Sequence, residues 1–291
     1  MKELFGAGVA LATPLNDDYS VDYEGLERLV KHVLDGDADY LVVQGTTGES
    51  PVFSWDEKLR ILDFVLEKNA GKKPVVFGHG GNDTQTLIDT VADLSRYPLA
   101  AILSVSPYYS RPSQQGILRH YELLADASPY PIILYNVPAR TAGNVEASTT
   151  LALAEHKNII AMKEASGDLK QCQQIIAEMP EEFMLLSGDD QTTFELIGQG
   201  ASGVISVVAN VLPEIFGNMV HARLEKDEEK ARTLDQYLQP AYHLCGEEGN
   251  PSSVKTGLEA LGICARTVKT PLFNGSDQLL KRWKHYLSSS G

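Results

Sequence analysis

Gly8-Val9-Ala10-Leu11-Ala12-Thr13-Pro14 is the stretch on which the choice of fold turns. It reads as a short apolar strand, Gly8–Ala12, that runs straight into Thr-Pro. A strand buried on both faces has this character, because apolar residues fill both of its sides. In an open, doubly wound α/β sheet the first strand usually hands over to a glycine-rich phosphate turn, and Ala12-Thr13-Pro14 is not one.

Working outward, runs of the same kind recur at Tyr40–Gln44, Val75–Gly78, Ala101–Val105, Ile132–Tyr135, Ile159–Lys163, Met184–Ser187 and Gly203–Val207. Stripes of helical period lie between them. Leu26, Leu29, Val30, Val33 and Leu34 form one, stopped by Gly36. Leu59, Leu62, Val65 and Leu66 form a second, and Leu87, Ile88, Val91 and Leu94 a third, opened by Asp83 or Thr84 as N-cap. Eight strand–helix units with right-handed crossovers close most naturally into an α/β (β/α)8 TIM barrel. Strand signals stop after about Leu224, and helices are expected over Asp227–Leu244, Pro251–Leu261 and Gln278–Leu287. The expected organisation is a catalytic barrel over residues 1–224 and a C-terminal helical extension over 225–291.

Bulk properties narrow the function. The chain has 291 residues, 43% hydrophobic, enough for one large core. A formal net charge of -14 argues against nucleic acid and anionic membranes as partners. No apolar run approaches a membrane span, and Met1–Leu15 meets Pro14 too early for a signal peptide. Cys172, Cys245 and Cys264 are odd in number and far apart, so reduced thiols in a cytoplasmic protein are expected.

In a barrel, chemistry sits where strands end and βα loops begin. Lys163 closes the run Ile159-Ile160-Ala161-Met162-Lys163. A lysine there either snorkels to the rim or, stripped of hydration, offers a neutral amine that can attack a ketone and form an iminium. Tyr135 ends the preceding strand, close enough for a proton relay; alone, a core tyrosine with a satisfied hydroxyl is the simpler reading. Thr46 and Thr47, between Gly45 and Gly48, suit a carboxylate or a plain βα turn. Arg140 offers a fork for a second carboxylate, or a surface ion pair. Tyr108 and Tyr109 are loop-borne aromatics that fit core, site wall or interface equally. Asp189, Asp190 and His79 could suggest a metal, but an aspartate before Gln191–Gln199 suits a helix N-cap, and the seven histidines lack ligand spacing. Neither a metal nor an organic cofactor is expected.

Four motifs together resemble the dihydrodipicolinate synthase (4-hydroxy-tetrahydrodipicolinate synthase) family: Gly45-Thr46-Thr47-Gly48-Glu49-Ser50, Pro107-Tyr108-Tyr109-x-Arg111-Pro112, Tyr135-Asn136-Val137-Pro138-x-Arg140-Thr141 and Lys163-Glu164-Ala165-Ser166-Gly167-Asp168. Their order and spacing match over essentially the whole chain. The resemblance implies condensation of pyruvate with L-aspartate-4-semialdehyde on the diaminopimelate route to lysine. By it, Lys163 is the Schiff-base lysine, and Tyr135, Thr47 and Tyr109 form a proton-relay triad, with Tyr109 supplied by a neighbouring subunit. Thr46 and Thr47 hold the pyruvate carboxylate, Arg140 guides the semialdehyde carboxylate, and Gly188 and Ile205 line the site. Homotetramers built as a dimer of dimers are the implied assembly.

One part departs from the family pattern. Where lysine-inhibited members carry a glutamate that holds the inhibitor, this chain has Thr86; where they often carry histidines, it has Trp55 and Lys58. Ser50, Asn82 and Tyr108 still match. Weak or absent lysine inhibition is therefore expected. The nearest rivals are N-acetylneuraminate lyase and 2-keto-3-deoxy-sugar-acid aldolases, which share the lysine, the tyrosine and the glycine-flanked turn; a rival of another class is a non-catalytic sensing barrel. The Arg140 context and the run Glu164–Asp168 favour the synthase.

Overall fold

The computed structural model describes residues 2–289; the outer ends of the expected units, Met1 and 290–291, lie outside them. Eight strands pair in sequence order: β1 (Gly6–Ala10), β2 (Tyr40–Val43), β3 (Val75–Gly78), β4 (Ala101–Val105), β5 (Ile132–Asn136), β6 (Ile159–Glu164), β7 (Met184–Ser187) and β8 (Gly203–Ser206). All neighbours are parallel, and β8 returns to β1 to close the barrel. An outer layer is formed by α1 (Tyr23–Asp35), α2 (Trp55–Asn69), α3 (Thr84–Val91), α4 (Gln114–Ala127), a single turn α5 (Pro138–Thr141), α6 (Ala147–Ala154), α7 (Leu169–Glu178), α8 (Thr193–Gln199) and α9 (Pro213–Leu224).

Although the strands read as continuous apolar runs, their side chains alternate between two cores. Val42, Leu103, Ile133, Tyr135, Ala161, Leu186 and Ile205 fill the barrel interior. Leu41, Val43, Ile102, Leu134, Met162 and Leu185 pack outward under the helices. This alternation of period two sends Lys163, two residues after Ala161, inward beside Tyr135. Gly8 is needed where Tyr40 crosses the barrel to donate its hydroxyl to the Val204 carbonyl (3.1 Å), since a Cβ there would lie 2.1 Å from the Tyr40 ring.

Strand ends differ from the sequence reading by a residue or two, each for a visible reason. β1 starts at Gly6 and ends at Ala10, not at Ala12 as expected, because the Ala12 N–H donates to Asn210 Oδ1 and not to the ladder. β8 stops at Ser206 because the Val207 N–H donates to the Asp190 carboxylate. β5 and β6 extend to Asn136 and Glu164, polar residues paired with each other. Helix starts follow their caps: Asp22 before α1, the Ser54–Glu57 capping box before α2, and Asp83 rather than Thr84 before α3.

Beyond Leu224 come α10 (Glu228–Gly246) and α11 (Ser252–Ala260), packed onto the barrel, and α12 (Asp277–Ser289), packed onto α10 and α11. α11 is buried over most of its length, and the wholly buried Trp283 of α12 donates to the Ser253 carbonyl (3.2 Å). Among the described residues, no helix is long and apolar enough to cross a membrane, and all three cysteines are free and buried.

Candidate active site

The ends of β2, β5, β6 and β7 converge on one cavity of about 230 Å³ lined by Thr46, Thr47, Tyr135, Arg140, Lys163 and Gly188. Lys163 and Tyr135 are register partners across β5 and β6, both buried, with Lys163 Nζ 4.3 Å from the centre of the Tyr135 ring. Gly188 makes room for the lysine, since a Cβ there would lie 3.1 Å from Lys163 Cε and 2.7 Å from Ala165 Cβ. A carboxylate sits beside the lysine in sequence and points the other way. Buried Glu164 accepts from Asn136 Nδ2 (3.0 Å), Gln171 Nε2 (2.9 Å) and the Ser166 N–H (2.7 Å), which stiffens the strand end that carries Lys163.

Thr47 is buried, and Thr46 is half-buried at the cavity wall. Between them and α2, Glu49 takes a left-handed conformation (φ 57°), and its N–H closes the turn on the Thr46 carbonyl (3.0 Å). Arg140 stands exposed on α5 and donates to the Asn250 carbonyl (3.2 Å), while Asn250 Nδ2 donates to Thr47 Oγ1 (3.0 Å). Asn250 thus ties the two expected carboxylate sites together from the C-terminal extension.

Tyr109 and Ile205 are not brought into this cavity. Ile205 is wholly buried in the barrel interior. Tyr109 is 91% exposed, at φ 70°. Asp189 caps the turn Asp190–Thr192 through the Gln191 N–H (3.0 Å). Asp190 does not cap it; its Oδ2 accepts from the Val207 and Val208 N–H groups (3.1 and 2.7 Å), tying β7 to β8. Burial pushes the Asp190 carboxyl up to about 6. His79 is buried with Nε2 3.0 Å from the Leu87 carbonyl, and burial lowers its pKa. Among the described residues, no group of three or more His, Cys, Asp or Glu could hold a metal ion.

A neighbouring cavity of about 390 Å³ shares Thr46, Tyr135 and Arg140 and runs out to Ser50, Lys58 and Tyr108. Burial lowers the Lys58 pKa, and no carboxylate pairs with it among the described residues. Trp55 turns aside, donating to Asp93 (3.0 Å) and packing on His79; Thr86 bonds Asp83 (2.6 Å), and Asn82 is exposed.

Four contacts were beyond sequence reasoning: Glu164 with its amide cradle, Asp190, Asn250, and an ion pair between Lys255 and Glu49, both buried. Lys255 gave no signal, since Ser252, Lys255, Thr256 and Glu259 share one helical face that reads as solvated, whereas the first three are buried.

Comparison with known proteins agrees with this architecture. A model of the dihydrodipicolinate synthetase family matches residues 3–289. The chain is 42% identical to the 4-hydroxy-tetrahydrodipicolinate synthase of Flavobacterium psychrophilum, over 97% of each chain. The crystal structure of dihydrodipicolinate synthase from Thermotoga maritima superposes with a TM-score of 0.95 at 34% identity, covering 99% of this chain and 98% of that one. The chloride-inhibited dihydrodipicolinate synthase of Acinetobacter baumannii, solved in complex with pyruvate, gives 0.96 at 32% identity over 99% of both chains. A barrel of this register, this family match and relatives at this identity lead to one conclusion: the chain belongs to the dihydrodipicolinate synthetase family.

Proposed function

We propose that this chain is a Schiff-base-forming lyase that condenses pyruvate with L-aspartate-4-semialdehyde, the 4-hydroxy-tetrahydrodipicolinate synthase reaction of the diaminopimelate route to lysine. The observation that carries the reading is the single cavity in which a buried lysine meets a tyrosine, a threonine turn and an arginine. The Lys163 amine adds to the pyruvate ketone and water leaves, giving an iminium. Loss of a methyl proton yields the enamine, whose carbon attacks the aldehyde; the aldehyde oxygen takes a proton to become a hydroxyl, and the semialdehyde's own amine then adds to the regenerated iminium carbon and displaces Lys163, closing the ring and freeing the lysine. Tyr135 lies beside the amine and is suited to carry protons in these steps with Thr47. Thr46 and Thr47 hold the pyruvate carboxylate, Arg140 receives that of the semialdehyde, and Gly188 shapes the wall beside the lysine.

Tyr109 completes the relay from a second copy of the chain, within a homotetramer built as a dimer of dimers. Its exposure supports this reading, since it has no role within its own protomer that would bury it. We assign residues 1–224 to the catalytic barrel and 225–291 to a helical unit that serves it, and place the enzyme in the cytoplasm, consistent with its buried free thiols. The test is substrate choice. Turnover of pyruvate with aspartate semialdehyde should exceed N-acetylneuraminate cleavage by orders of magnitude; the reverse ranking would overturn the assignment.

A further inference from the structure

Between the carboxylate turn and the C-terminal extension lies a charged contact that the reaction itself does not use. Lys255 of α11 is wholly buried, and Glu49 of the turn is 4% exposed. Lys255 Nζ is ion-paired with Glu49 Oε1 and donates to the Thr267 carbonyl (2.7 Å), while Glu49 Oε2 accepts the Lys269 N–H (2.9 Å). Neither residue lines the cavity that holds Lys163.

Stability alone does not account for such a pair. Taking two charges out of water is costly, and a well-packed apolar pair often serves a core as well or better. What the pair holds is more informative. Glu49 is a non-glycine residue with positive φ, a conformation that persists only where its surroundings impose it. Its N–H is bonded to the Thr46 carbonyl, so a shift of Glu49 displaces Thr46. The same turn is held at Gly48, whose carbonyl accepts from Thr13 Oγ1 (2.8 Å), and at Thr47 by Asn250.

We propose that Lys255 is a positioning residue for the Gly45–Glu49 turn, acting through the Glu49 carboxylate. The helical extension thereby sets the geometry in which the turn receives the pyruvate carboxylate. This rests on the reading of that turn as the pyruvate-carboxylate site.

The test compares the full-length wild type with Lys255→Met, Glu49→Gln and the double variant. Two quantities are measured: the pyruvate concentration giving half-maximal borohydride trapping, and the thermal midpoint. Lys255→Met leaves a buried carboxylate uncompensated and is the variant most prone to misfold. Glu49→Gln leaves a lysine that can shed its proton, as burial already lowers its pKa, and the double variant buries no charge. These two folded variants decide the question. Positioning predicts that the double variant recovers thermal stability relative to Lys255→Met, yet needs about tenfold more pyruvate than wild type, with trapping at saturation retained. A purely structural pair predicts wild-type pyruvate dependence in every variant that folds, and that result overturns the proposal. Absence of trapping in the wild type would instead remove the reading of the turn on which the proposal rests.

Discussion

Lys163 and Asp190 line the same cavity, one basic and one acidic. The amine is placed beside an aromatic face, its neighbour carboxylate is occupied by amides, and among the described residues no carboxylate pairs with Lys163. Asp190 has one oxygen accepting from two amides and the other, Oδ1, buried near Ser206. Desolvation, with the nearby Asp189 charge acting in the same direction, raises its pKa from 3.8 to about 6. A carboxyl whose folded-state pKa exceeds its unfolded one binds more protons when folded, so its contribution to stability falls as pH rises between those two values. The penalty is on the order of 3 kcal/mol at neutral pH. Asp190→Asn keeps an acceptor for both amides and removes the charge. It should therefore match or exceed wild-type stability in urea at about pH 8 and lose that advantage near pH 4; a variant clearly less stable at about pH 8 would show that the anion is favoured. At this scale the sequence carried the candidates whose position depends on one strand end: Lys163, Tyr135, Thr46, Thr47 and Arg140 all sit at the mouth of the barrel. It did not carry Asn250 or Lys255, because their partners Thr47 and Glu49 lie some two hundred residues away, across a packing that no local pattern encodes.

Strands and helices follow their local chemistry, and their junctions follow side chains. The apolar runs located all eight strands, since burial on two faces leaves a continuous signal. Their ends shifted wherever a side chain such as Asn210 or Asp190 captured a ladder N–H, which residue propensities cannot reveal. The opposite mouth of the barrel has a junction of its own. Asp39, leading into β2, accepts from the Ala7 N–H of β1 (2.7 Å) and from His221 of α9 (2.8 Å). The Asp39 hydrogen bond raises the His221 pKa above 6.5, aided by the Asp39, Asp37 and Glu225 charges and opposed by desolvation. A histidine with raised folded pKa stabilises fully below its unfolded value, and that stabilisation is lost as pH climbs through the folded value. His221→Gln should accordingly lower the urea midpoint more at about pH 5.5 than at about pH 9. An equal loss at both would mean that the contact works by packing and not by charge.

At the scale of the whole molecule, two features reach beyond one protomer's cavity. Tyr109 projects at 91% exposure, and among the described residues no carboxylate pairs with Lys58 in the outer cavity. Thr86 stands where the family pattern leads one to expect a glutamate for the inhibitor's ammonium, so turnover should persist at millimolar lysine; half-maximal inhibition at micromolar lysine would contradict this. The barrel, its C-terminal helices and the grouping of the chemical residues all trace to periodicity and motif spacing, whereas the attachment of the extension to the carboxylate turn emerges only from the folded chain. Everything proposed for the chemistry depends on Lys163 acting as a nucleophile toward pyruvate. The direct measurement is borohydride reduction in the presence of pyruvate, followed by peptide mass mapping of wild type and Lys163→Ala. One pyruvate-derived adduct is expected, on the peptide carrying Lys163, and none in the folded variant; an unmodified Lys163, or an adduct on another lysine, would contradict a nucleophilic role for Lys163.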